Sequence, residues 1–287
     1  MKIALIGATG QLGTDFKKII HSDQLIELNY PHFDITKKNE VKIELESLKP
    51  DLVINTAAYN LVDRAEEFPE ESLAVNYFGV EHLADTCRSI DATLVHFSTD
   101  YVFGGDLGRT SPYTEDDKPK PLNKYGVSKL NGELAVQKYL RKQFVIRTSG
   151  LFGEAGSEGK GGNFVESIIK KYEAGDQLKI VDDQVLTPTY TLDLAKNVWE
   201  LITTKNYGLY HVTSEGQCSW YDFARAVFKH LDIPAKITPV KTDDYKLKAA
   251  RPHYSVLENR RLNELGLNIM RHWEQTIPDY LREKKYI

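Results

Sequence analysis

Short apolar runs recur along the first half of the chain, at Ile3–Ile6, Leu25–Leu28, Asp51–Asn55, Thr93–Ser98 and Phe144–Arg147. Runs of this length, bounded by turn-forming or polar residues, predict strands. Between them the apolar positions change to helical spacing. The turn Gly7–Gly13 opens a helix reaching Ile20. Val41–Leu48 is amphipathic and ends at Lys49-Pro50, as helices do before proline. Glu71–Ser89 carries Leu73, Val80, Leu83 and Ala84 on one face, and Asn123–Arg141 reads as a further helix. Strands alternating with helices at this spacing predict βαβ units around a parallel sheet.

Past Arg147 the pattern loosens. Gly150–Gly162 is glycine-rich with interspersed charges and reads as a mobile loop. Ile168–Ala174, Leu192–Leu201, Trp220–Leu231 and a stretch from Trp273 read as helices, and Leu178–Val181 and Gly208–Val212 as strands. The predicted architecture is α/β: a doubly wound parallel sheet of the Rossmann type over residues 1–150. Later strands, from about 178 to 212, return to that sheet. Residues 151–177 and 213–287 form a smaller, interleaved C-terminal lobe that binds substrate. No internal repeat or low-complexity segment interrupts this.

With 287 residues, 41% hydrophobic and 27% charged, the chain can bury a large core. A net charge of −4 argues against nucleic acid or an anionic membrane as partner. No apolar run is long enough to span a bilayer, and the N-terminal run breaks at once into a glycine turn, unlike a secretion signal. Cys87 and Cys218 lack metal-like spacing and predict reduced thiols in a cytoplasmic protein.

Candidate chemistry lies at the predicted strand ends. Gly7, Gly10 and Gly13, with Gln11 and Leu12, give G-x-x-G-x-x-G between a strand and a helix. There the backbone can approach a pyrophosphate and a helix N-terminus faces the negative charge. After the second strand, Asn29-Tyr30-Pro31-His32 offers neither an acid for ribose hydroxyls nor an Arg for a 2′-phosphate, so NADH and NADPH both stay open, with a lean to NADPH. Asp34 and Ile35 suit the edge and face of an adenine, or Asp34 and Thr36 form a helix N-cap box. The small residues Ala57 and Ala58, with Tyr59, would let a dinucleotide pass over the third strand end. A hydroxyl from Ser98 or Thr99 ends the fourth strand. Tyr125 and Lys129, four apart, share a helical face, where an ammonium would lower the phenol pKa towards the range useful for proton transfer.

In this order, G-x-x-G-x-x-G, Asn55-Thr56-Ala57-Ala58, Ser98-Thr99-Asp100 and Tyr125-x-x-x-Lys129 resemble the extended short-chain dehydrogenases. Ser98–Gly104, Asn163-Phe164-Val165, Asp183-Gln184 with Thr187–Thr191, and Arg251-Pro252 with Ser255-Val256-Leu257 resemble the dTDP-4-dehydrorhamnose reductase family over nearly the whole chain. That resemblance implies reduction of a 4-keto nucleotide sugar with NAD(P)H. It implies Thr99, Tyr125 and Lys129 as the catalytic set, and cofactor contacts at Gly10–Leu12, Asp34-Ile35, Ala57–Tyr59, Tyr125 and Lys129. Tyr101, Asn163 and Arg251 would then meet the nucleotide sugar, Arg251 through forked donors that match a diphosphate. Asn163 and Arg251 also read as ordinary surface contacts. The loop Gly104–Leu122 is expected to border the cleft and Gly150–Gly162 to close over it.

Two departures stand out. The family's Arg-Thr-Ser-Trp is Arg147-Thr148-Ser149-Gly150 here, so an aromatic wall is lost or comes from elsewhere. Some members hold Mg²⁺ between subunits through acidic residues; Asp15 matches one such position weakly, and neither the metal nor the dimer is carried over, leaving a monomer or a homodimer. The related 4,6-dehydratases carry Asp-Glu after the strand-end Thr, whereas Asp100-Tyr101 stands here, which favours simple reduction over elimination. An epimerase, and a non-catalytic binding subunit like the regulatory subunit of methionine adenosyltransferase, are the alternatives.

Overall fold

The computed structural model describes residues 1–21, 24–156 and 161–287. In it the apolar runs become β1 (Ile3–Ile6), β2 (Leu25–Leu28), β3 (Leu52–Asn55), β4 (Thr93–Thr99) and β5 (Gln143–Thr148). Between and beside them lie α1 (Gln11–Ile19), α2 (Lys38–Leu48), α3 (Arg64–Glu67), α4 (Pro69–Leu73), α5 (Val80–Ser89) and α6 (Lys124–Tyr139). The second half adds β6 (Leu151–Phe152), α7 (Phe164–Glu173), β7 (Leu178–Val181), β8 (Val185–Leu186), β9 (Thr189–Tyr190) and α8 (Thr191–Thr203). It continues through β10 (Gly208–His211), β11 (Cys218–Ser219), α9 (Trp220–His230), β12 (Ile237–Val240), α10 (Arg260–Leu265) and α11 (Trp273–Glu283). Among the described residues, no helix is long and apolar enough to cross a membrane.

The main sheet is six-stranded and parallel, in the order β2-β1-β3-β4-β5-β10. Alternation along each strand explains its two covers. On β1, Ile3 and Leu5 enter one apolar cluster with α1 and α8, while Ala4 and Ile6 enter another with α2 and α5. A strand buried on both faces reads as an unbroken apolar run, the pattern seen in the sequence. The connection leaving β2 passes over β1 to reach β3, so the strand order reverses there. A crevice opens at the carboxyl ends of β1 and β3, where sheets of this kind take ligands.

Of the two later strands expected in this sheet, only Gly208–His211 joins it, against β5. Leu178–Val181 instead pairs with β12 in a separate two-stranded ribbon. The reason lies in its pattern: Leu178 and Ile180 are buried but Lys179 between them is exposed, so this strand has only one apolar face to hide. A third apolar cluster gathers α7, β7, α9 and α11 around Phe152, Phe223 and Tyr280. The expected helix Glu71–Ser89 is divided: α4 and α5 are joined by a π-helical segment, Ala74–Gly79. In the expected loop Gly150–Gly162, β6 pairs with β9, and residues 157–160 lie outside the described residues.

Candidate active site

A cavity of about 1000 Å³ opens at the carboxyl ends of β1, β3 and β4. Gly7, Gly10, Gln11 and Leu12 form one wall. Gly7 has φ +75°, and a Cβ there would lie 2.9 Å from Thr56 Oγ1 and 3.0 Å from the Ala57 nitrogen, so a side chain has neither the backbone angle nor the room. Gly10 caps α1 without a side-chain hydrogen bond, and the first turn holds no acid, leaving helix N–H groups for an anion. Gly13, expected as a cofactor contact, does not line the cavity. A Cβ on it would fall 2.2 Å from the Gly7 carbonyl oxygen, so its part is to let α1 pack tightly on the β1 turn. Asn29, the residue that follows β2, fixes that turn by accepting the Thr9 amide at 3.1 Å.

Asp34, Ile35, Ala57, Ala58 and Tyr59 all face the cavity. The Asp34 carboxylate closes a turn by accepting from the Thr36 amide at 2.9 Å and hydroxyl at 2.8 Å. It is not a helix cap, because α2 begins at Lys38 after Lys37. The Tyr59 backbone is clamped by Asn76, whose amide accepts from the Tyr59 N–H at 3.0 Å and donates to its carbonyl at 2.9 Å. Asn76 sits in the π-helical segment, and its side chain also donates to Ser128 on α6.

At the far end α6 presents Tyr125 and Lys129. Asn123 caps the helix by accepting from the Gly126 amide at 2.7 Å. Gly126 lets the helix press on Tyr101, whose carbonyl oxygen would lie 2.2 Å from an added Cβ. The Tyr125 ring meets the Tyr101 ring edge-on at 5.9 Å. Thr99 lies against the Tyr125 phenol, and its hydroxyl donates to Asp100 at 3.0 Å. Ser98, the other candidate hydroxyl, also borders the cavity, but its hydroxyl donates to Glu133 on α6 at 2.5 Å.

The electrostatics differ from expectation. Burial pushes the Tyr125 phenol up to about 12, opposed by the Thr99 hydroxyl and reinforced by Asp100. Burial brings the Lys129 ammonium down to about 8, opposed by Glu133. The ammonium donates to the Phe97 carbonyl at 2.5 Å. The predicted lowering of the phenol by Lys129 is not found: burial, Thr99 and Asp100 set its shift, and burial is something the sequence does not reveal. Behind Lys129, Glu133 forms a two-point ion pair with Arg147, at 2.7 Å and 2.9 Å, with both side chains almost wholly buried. Asp100 is also buried. It accepts from Ser255 at 2.6 Å, Ser149 at 2.9 Å and Thr99, yet burial still raises it to about 6.

The C-terminal half supplies the remaining wall. Gly150 has φ +55°, and an added Cβ would lie 2.9 Å from Leu186 Cδ1 and 3.1 Å from Pro188 Cα, so no aromatic fits there. The aromatic surface comes from Trp220, with its ring centroid 4.5 Å from that of Phe164, both facing the cavity. Asn163 also faces it, but its amide is already engaged. It donates to Gln11 at 3.3 Å and to the Gly153 carbonyl at 3.1 Å, while its oxygen caps α7 and accepts from the Tyr280 hydroxyl at 3.2 Å. Arg251 does not line the cavity. Its guanidinium is spent on Asp63 at 2.7 Å and the Ala249 carbonyl at 2.9 Å. The loop 104–122 does not line it either, being stitched to the C-terminal half by paired bonds between Tyr113 and Val256 and Glu258.

With the glycine turn, the Tyr/Lys helix and this lobe on one cavity, the chain can be set beside known proteins. The family model described as the RmlD substrate binding domain matches residues 1–286. The chain belongs to this family. It is 37% identical to the spore coat polysaccharide biosynthesis protein SpsK of Bacillus subtilis (strain 168), over 99% of this chain and 98% of that one. The crystal structure of a dTDP-4-dehydrorhamnose reductase from Clostridium acetobutylicum superposes with a TM-score of 0.93 at 39% identity, covering 98% of this chain and 99% of that one. The Bacillus anthracis dTDP-4-dehydrorhamnose reductase, solved in complex with NADP, gives 0.92 at 34% identity over 99% and 100%.

Proposed function

We propose that the protein reduces the 4-keto group of dTDP-4-dehydro-L-rhamnose to give dTDP-L-rhamnose, with NADPH or NADH as reductant. The observation that carries this reading is a half-buried Tyr125 phenol set against Thr99, at the far end of a cavity that begins in a bare glycine turn. That turn fits a dinucleotide: Gly7 and Gly10 leave a cradle that a Cβ would narrow, and the uncapped start of α1 faces it. Bound there, the reduced nicotinamide supplies the hydride. Asn29, rather than an acid, follows β2, and the NADP complex of the B. anthracis relative supports the lean to NADPH.

Tyr125 holds its proton firmly at neutral pH, which suits a donor in the reducing direction. It gives that proton to the oxyanion formed at C4, a far stronger base than a phenolate. Thr99 holds the carbonyl oxygen in line with the phenol. Lys129 keeps a positive charge behind the phenol and lends a donor to the ribose. Trp220 and Phe164 form the aromatic platform for the nucleotide end, in place of a side chain at Gly150. Residues 1–150 with α8 and β10 hold the cofactor, and residues 151–177 and 213–287 hold the nucleotide sugar. The free, buried Cys87 and Cys218 suit a cytoplasmic enzyme.

Steady-state assays with dTDP-4-dehydro-L-rhamnose and each cofactor test the reading. Stoichiometric consumption of NADPH or NADH is expected. Turnover with catalytic cofactor alone would make the protein an epimerase, and no turnover with an intact fold would favour the binding subunit.

A further inference from the structure

We infer that Lys18 is a built-in cation, tying the N-terminal helix to the C-terminal lobe at a position that therefore takes no divalent metal. The Mg²⁺ held by some members of the resembling family makes this corner the place to examine, and the residues here do not fit it. Lys18 Nζ lies 2.7 Å from Asp15 Oδ1, 2.8 Å from Glu154 Oε2 and 2.9 Å from Glu283 Oε1. The ammonium donates to Glu283 Oε1, and the Asp15 and Glu154 oxygens stand within ion-pair distance of the same nitrogen. Metal–oxygen bonds are shorter, about 2.1 Å for Mg²⁺ and about 2.3–2.6 Å for Ca²⁺, so the cluster is spaced for nitrogen.

Two of the three remaining oxygens are also occupied. Thr191 donates to Asp15 Oδ2 at 2.5 Å and Tyr190 donates to Glu283 Oε2 at 2.5 Å. Asp15 is wholly buried, a costly place for a carboxylate without a counter-charge. Burial works against the ammonium too, but its three acidic neighbours outweigh that and keep Lys18 charged. Among the described residues, no group of three or more His, Cys, Asp or Glu could hold a metal ion.

The three acids come from separate parts of the fold: α1, the segment after β6, and the last turn of α11. Lys18 thus fastens the C-terminal end of α1 to the lobe, while Gln11, at its other end, is held by Asn163. The helix that starts at the glycine turn is clasped at both ends by the half of the chain that faces the sugar.

The test is thermal unfolding of the full-length protein and Lys18→Ala, each in chelator and in millimolar Mg²⁺ or Mn²⁺, with Mn²⁺ binding followed by electron paramagnetic resonance. Wild type should melt at the same temperature in both and bind no stoichiometric Mn²⁺. Lys18→Ala should melt several degrees lower in chelator, recover part of the loss with Mn²⁺, and lose that response when Glu154→Gln is added. A variant that folds only in Mn²⁺ supports the inference equally. Stoichiometric Mn²⁺ at this site in wild type overturns it, as does a Lys18→Ala protein that melts like wild type or ignores divalent ions. Should the variant fail to fold in every buffer, the wild-type titration decides.

Discussion

Asp100 offers a sharp test of the site's electrostatics. Its carboxyl is buried, and burial raises it from an ordinary 3.8 to about 6 despite three hydroxyl donors. The native state therefore binds this proton more tightly than the unfolded chain. The resulting stabilisation is complete below about pH 4 and is lost as pH rises through about 6. A displacement of roughly two pH units corresponds to about 3 kcal/mol. Asp100→Asn keeps the shape and cannot ionise. Urea unfolding followed by tryptophan fluorescence, for both proteins from about pH 4 to about pH 7, isolates the effect, since other carboxylates titrate alike in each. The stability of the variant relative to wild type should rise by about 3 kcal/mol across that window. A difference independent of pH, or moving the other way, would refute the reasoning. The same substitution bears on chemistry: with its oxygen facing Ser149 and Ser255, the new amide would donate to Thr99 instead of accepting from it. The hydroxyl beside Tyr125 would be re-aimed and kcat lowered in a folded protein.

Tyr125→Phe should lower kcat by about 10²–10⁴-fold with cofactor affinity little changed; steady-state rates within a few-fold of wild type would remove the phenol from proton transfer. Glu133→Gln leaves Arg147 buried beside a neutral partner and should cost about 3–5 kcal/mol in denaturant unfolding. Trp220→Ala should raise KM for the nucleotide sugar by about 5–150-fold, the worth of about 1–3 kcal/mol of base stacking, and leave KM for NADPH nearly unchanged. Equal rises for both ligands would place Trp220 in general packing.

The parts legible in the sequence were those where one physical rule acts alone. Strands of a doubly covered sheet must be apolar throughout, so Ile3–Ile6 and Leu52–Asn55 announce themselves. Helix geometry alone puts Tyr125 and Lys129 on one face, and the turn Gly7–Gly10 needs backbone freedom whatever surrounds it. Leu178–Val181 was placed in the wrong sheet because its exposed Lys179 counted for too little. The π-helical segment has no side-chain signature, so the clamp of Asn76 on Tyr59 stayed hidden. The phenol's upward shift depends on burial, which is a property of the whole fold. Glu133 did carry a signal, an acid one turn beyond Lys129, but nothing local says that Arg147 waits opposite. Arg251 illustrates the reverse: its forked donors suit a diphosphate, but the fold turns one of them to Asp63 and another to the Ala249 carbonyl, away from the cavity lining.

The sheet's sixth strand, β10, is drawn from residues 208–211, after the chain has already left to build part of the lobe. During synthesis, β5 must therefore wait with a bare edge while some sixty further residues are made, and unpaired edges recruit other strands. A recombinant fragment stopped near residue 150 should self-associate rather than stand alone as a nucleotide-binding module. For the same reason the C-terminal lobe cannot be traded between relatives as a cassette: each exchange would have to be spliced on both sides of α8 and β10.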